Sequence, residues 1–234
     1  TAAIVVCLIM AFACYFSLEL FVKNKRYYNA GIDNMLMIAV VSFLLGTFFI
    51  EDLNHQDIIA SAMATFFFLW MCIRFTDAFM ALLAFVSLFT CLFFVCMLAG
   101  PAAILYMPFI MAAFSAIVYF FVQRIARGEN ALFYVFCCDA VRLVCLLGIY
   151  ASLNYFVVRE VGGSLLTGGG AIAALPMGWL FWLFTAAIPP VYILWGIKAK
   201  DLLLIRTGLF LLAIAVFTVR FYYSAMPVEG WMLI

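Results

Sequence analysis

Long apolar runs separated by short polar breaks make up nearly the whole chain. The runs cover approximately 1–22, 32–50, 57–75, 77–98, 101–122, 131–158, 176–197 and 201–226. A bilayer's hydrocarbon layer is about 30 Å thick and takes roughly 20 helical residues to cross, whereas a spanning strand needs about 10. Lipid gives a backbone N–H or C=O no partner, so a run of this length satisfies itself as a helix. The pattern predicts an all-α, polytopic transmembrane helical bundle of about eight spans. It forms a single integral membrane domain over 1–234, with room for the start of a ninth span.

The breaks alternate in charge. The first, third, fifth and seventh carry Lys23, Lys25 and Arg26, then Arg74, then Arg124 and Arg127, then Lys198 and Lys200. The others read EDLNHQD (51–57), AGP (99–101), a glycine-rich stretch (159–176) and PVEG (227–230), with Arg159 their one basic residue. Basic loops stay on the cytoplasmic side, so this alternation predicts basic loops inside and both ends of the sequence toward the outer side. Local punctuation agrees: Gly100-Pro101 separates two helices, Asn130 suits a cap for the sixth, and Asp201 one for the eighth. The stretch 161–175, with Gly168, Gly169 and Gly170, reads as a flexible linker. Pro108 and Pro189-Pro190 interrupt the fifth and seventh runs and read first as kinks. No internal repeat stands out.

Composition removes several classes of function. The chain is 71% hydrophobic and 10% charged, with a mean hydropathy of +1.27, against about 25% charged in soluble domains. Net charge is +1 and the basic residues are scattered, which excludes nucleic-acid binding. All eight cysteines lie within apolar runs, with neither a disulfide framework nor a metal-binding pair spacing. The chain opens on Thr1 rather than Met and stops at Ile234, so it is expected to be part of a longer polypeptide.

Ionisable side chains at hydrocarbon depth are the best pointers to function, since each costs on the order of 3 kcal/mol to insert. Asp139 and Arg142, three residues apart, share a helix face and are expected to pair. Counted from a cap at Asn130, they lie about 13 Å and 18 Å along the helix. Tyr150 and Asn154 continue that stripe, about 20° and 60° from Asp139. On the last run, Arg206 and Arg220 lie within about 40° of each other and ~21 Å apart. Arg206 is close enough to its helix end to reach toward Asp139, and Arg220 reads as an outer-interface anchor. With Glu19 turned inward, Glu19 and Asp139 would balance Arg142 and Arg206. Asp139, Arg142, Arg206, Glu19, Tyr150 and Asn154 therefore form the candidate intramembrane polar site.

The remaining polar residues have simpler readings. Arg74 suits the C-terminus of the third helix, and Asp77, with Thr76, the N-cap of the fourth. His55, the one histidine, reads as part of a solvated acidic loop. There is no HExxH zinc site, no GxSxG elbow, no phosphate-binding glycine loop and no histidine pair for haem. No catalytic residue, cofactor or metal is expected.

Residues 196–230 run GIKAKDLLLIRTGLFLLAIAVFTVRFYYSAMPVEG: a short basic turn at Lys198, Lys200 and Asp201, then an apolar helix ending in Arg220-Phe-Tyr-Tyr223. About a sixth of the chain thus resembles uncharacterised multi-pass inner-membrane proteins of Gram-negative bacteria. The resemblance implies a bacterial inner membrane and no activity. Three functions fit the sequence: a non-catalytic subunit or scaffold of a larger inner-membrane assembly, a small-solute or lipid transporter using the Asp139/Arg142 pair, and, third, an enzyme acting on lipid-linked substrates. The expected partners are membrane lipid and other membrane subunits or further copies of the chain.

Overall fold

A computed structural model describes residues 2–25, 31–50, 56–128, 133–166 and 178–224. Among these every regular element is a helix: α1 Ala2–Lys25, α2 Ile32–Ile50, α3 Gln56–Phe75, α4 Ala78–Leu98, α5 Pro101–Ala126, α6 Val135–Leu153, α7 Tyr155–Leu166, α8 Gly178–Ala199 and α9 Leu202–Ser224. Seven of them, α1, α3, α4, α5, α6, α8 and α9, are long and apolar enough to cross a membrane. The apolar helix Ile32–Thr47 in α2 is shorter. Between 11% and 33% of each long span is buried, so most of each helix surface is apolar and outward. Phe136 and Phe217, 81% and 71% exposed, would be untenable in water and are ordinary against lipid. Hydroxyls inside the spans turn back on their own helix: Ser115, fully buried, donates to the carbonyl of Met111 at 2.9 Å.

Two of the sequence expectations change. The sixth run, read as one helix over 131–158, breaks at Asn154 into α6 and α7. The start of the stretch read as a glycine-rich linker is helical through Leu166. The break has a local cause. Asn154 Oδ1 accepts from Phe156 N at 2.9 Å, and Thr185 Oγ1 accepts from Tyr155 N at 2.9 Å, so two amides that would have extended α6 instead begin α7.

The chain divides into two compact units, Thr1–Ala103 with Val122–Val141, and Ile104–Phe121 with Arg142–Ile234. In the first, the core comprises Leu18, Met37, Val40, Met71, Cys72, Phe75, Met80, Ala81 and Cys137. These come from the end of α1, the first half of α2, the end of α3 and the starts of α4 and α6, which are the ends beside the basic breaks. In the second unit, α8 and α9 form a hairpin closed by two glycines. A Cβ on Gly196 would sit 2.9 Å from the backbone N of Ile205, and one on Gly208 would sit 3.1 Å from that of Ile193. Glycine is needed there because backbone lies against backbone.

Candidate functional site

Asp201 ends the α8–α9 turn as the sequence predicts, with Oδ1 accepting from Leu203 N at 3.1 Å and its carbonyl accepting from Ile205 N at 3.3 Å. Oδ2 then takes up a second role. Arg142 Nη2 donates to it, forming an ion pair whose side chains are 12% and 20% exposed. The Arg142 guanidinium also lies over the ring of Tyr119 on α5, 5.7 Å from its centroid. One carboxylate thus caps α9 and joins the α8–α9 hairpin to α6, while an aromatic face covers the cation.

This arrangement adds a partner that helical spacing does not show. Spacing points Arg142 to Asp139, and the structure also brings Asp201 to it from 59 residues away. Asp139 is half-buried on α6. Because the α-helix begins at Val135, Asp139 lies only about 6 Å and Arg142 about 10 Å along it, nearer the helix end than the count from Asn130 implied. A side chain at that depth reaches a helix-terminal carboxylate by extending toward the interface. Asn130 and His55 lie outside the described residues, as do the glycines 168–170.

Glu19 is paired with α3. Its Oε1 accepts from Arg74 Nη2 at 3.1 Å, in a pair whose side chains are 42% and 54% exposed. Arg74 ends α3 beside the N-cap of α4, where Asp77 Oδ1 accepts from Phe79 N at 2.7 Å and Met80 N at 3.0 Å, as expected. Arg206 is exposed on α9, as is Arg220. Of the four charges grouped by the sequence reading, Glu19 pairs with Arg74 and Arg142 with Asp201.

No family model, curated protein or solved structure matches the chain. Its chemistry must be read from its own side chains.

Tyr150 and Asn154 are both buried, each 4% exposed, as the stripe on the sixth run implied. Asn154 is committed to capping α7. The Tyr150 hydroxyl makes no hydrogen bond of ordinary geometry, although the Asn154 side chain is its polar neighbour. Tyr192 on α8 donates to the Leu146 carbonyl at 3.3 Å, tying α8 to α6. Sequence reasoning missed Tyr119, Thr185 and Tyr192. Each sits in an apolar run where an isolated hydroxyl or ring gives no periodic signal. Asp201 was read only as a cap, yet a cap uses one carboxylate oxygen and leaves the other for a cation.

Among the described residues no group of three or more His, Cys, Asp or Glu side chains could hold a metal. The Arg142–Asp201 pair neutralises itself and fixes a helix end. Its chemistry is that of a latch: a charge-assisted hydrogen bond holding two helical elements in one arrangement.

Proposed function

We propose that this chain is a non-catalytic multi-pass membrane protein that serves as a subunit or scaffold of a larger inner-membrane assembly. The observation that supports this reading most is the use of its partly buried charge. Asp201 spends one oxygen on a cap and the other on Arg142, which leaves this carboxylate to hold helices rather than to turn over a substrate. The broad outward apolar faces give lipid and neighbouring helices a surface to meet.

In this reading α2 completes eight crossings, α7 is a partial helix, and the basic breaks face the cytoplasm of a bacterium. Native mass spectrometry of the full-length protein, extracted from its own membrane in mild detergent, tests the assignment. A stoichiometric protein partner is the expected result. A lone chain or homo-oligomer carrying a small solute would contradict it.

One feature favours a second reading, a small-solute transporter. The α6–α7 break at Asn154 beside the buried Tyr150 hydroxyl resembles the discontinuous helices that line transporter sites. Tyr150→Phe separates the two. A structural role predicts unchanged or slightly raised stability, by up to about 1 kcal/mol, because a buried hydroxyl without a hydrogen bond is removed. A solute site predicts lost solute retention at unchanged stability.

A further inference from the structure

The α8–α9 hairpin is closed at one end and open at the other. Near the turn, Gly196 and Gly208 bring the two backbones into contact. Further from it, α8 passes through Pro189-Pro190, and a groove of about 440 Å³ opens between the helices. Trp182, Thr185 and Pro189 form one wall, and Leu212, Val216 and Arg220 the other. The size is within the range of about 300–1,000 Å³ typical of small-molecule sites.

We propose that this groove holds one acyl chain of an anionic glycerophospholipid, with its phosphate on Arg220. Three observations lead there. The groove runs along the helix axis: Leu212, Val216 and Arg220 recur every four residues and span about 12 Å, close to the ~15 Å depth of one leaflet's hydrocarbon. Among the described residues its lining is apolar except for Thr185, whose hydroxyl already accepts from Tyr155 N and donates to the Phe181 carbonyl, and Arg220, the one charge at its far end. Among the described residues no acidic side chain lines it, and Arg220 is exposed.

Aromatic packing braces one wall. Trp182 lies tilted against Tyr155 and edge-on to Phe156, with ring centroids 5.3 and 5.5 Å away. Pro189 and Pro190 lack the N–H groups that would bond the carbonyls of Thr185 and Ala186, which leaves a defect in the α8 ladder beside the groove. A helix packed along the groove would have to bring its own carboxylate to Arg220. A lipid brings apolar chain and anion together, and surrounds the protein already.

The test is lipid retention by the full-length protein in nanodiscs of equal phosphatidylglycerol and phosphatidylcholine, read by native mass spectrometry after release. Wild type is expected to keep one phosphatidylglycerol over phosphatidylcholine by about fivefold, the preference one basic residue confers for anionic lipid. Arg220→Gln should equalise the two lipids and Arg220→Lys should keep the preference. Val216→Trp, which fills the groove, should release both lipids, whereas Phe217→Trp, on the exposed face beside it, should behave as wild type. Phosphatidylglycerol retention unaltered by Arg220→Gln, or lipid retention unaltered by Val216→Trp, would overturn the proposal. So would a dimer that Val216→Trp dissociates, because the groove would then belong to a second copy of the chain.

Discussion

Thr76-Asp77 and Lys200-Asp201 occupy equivalent places in two helical hairpins, α3–α4 and α8–α9. In each, the first residue takes a positive φ, 51° for Thr76 and 56° for Lys200, without being glycine. Thr76 N bonds the Cys72 carbonyl at 2.8 Å, the single-bond left-handed helix ending. Lys200 N bonds Ile197 and Asp201 N bonds Gly196, at 3.3 and 3.0 Å, the two-bond Schellman ending. Each aspartate then caps the next helix through one carboxylate oxygen. The difference is where the charge goes. Asp77 Oδ1 accepts from two amides of α4, whereas Asp201 Oδ1 accepts from one amide and its Oδ2 from Arg142. Two turns of similar build therefore differ in whether the carboxylate also fastens its hairpin to another helix.

The largest contrast should come from removing the carboxylates. Asp77→Ala loses a cap and is expected to cost about 1 kcal/mol. Asp201→Ala loses a cap and a charge-assisted bond, so it should cost about 3 kcal/mol in reversible unfolding from detergent or bicelles. Equal losses would mean that the ion pair contributes nothing. Next, Gly196→Ala should cost about 1–3 kcal/mol, because its Cβ meets the backbone of Ile205 rather than a yielding side chain. A neutral result would show that the α8–α9 hairpin has slack where the structure has contact.

The smallest effect should be at the other ion pair. Glu19→Gln breaks a pair that is about half exposed on both sides and should shift stability by no more than about 0.5 kcal/mol. Thermal unfolding of this variant beside Asp201→Ala ranks the two pairs directly. A loss at Glu19 as large as that at Asp201 would erase the distinction between an exposed bridge and a latch.

Helix positions were legible because each span is a run of about 20 apolar residues bounded by charge or by Gly and Pro, which are local features. The caps at Asp77 and Asp201 were legible for the same reason, as each precedes a long apolar run. The break at Asn154 was not, because apolar residues continue on both sides and the decisive acceptor, Thr185 Oγ1, arrives from 30 residues away. The partners Asp201 for Arg142 and Arg74 for Glu19 were hidden for a related reason. Spacing of three residues points Arg142 to Asp139, whereas these partners are set by tertiary packing and lie 59 and 55 residues distant. In a chain with so few charges, periodicity marks which face a charge takes and leaves its partner open.

The most direct test keeps both caps and removes only the charge. Asparagine caps a helix about as well as aspartate, so Asp77→Asn should leave stability within about 0.5 kcal/mol of wild type. Asp201→Asn should lose about 1.5–3 kcal/mol, the range for a hydrogen bond to a charged group. In a double-mutant cycle with Arg142→Met most of that loss should disappear, because the partner is already gone. Near-equal effects of the two asparagine variants, or additivity of Asp201→Asn with Arg142→Met, would contradict the latch.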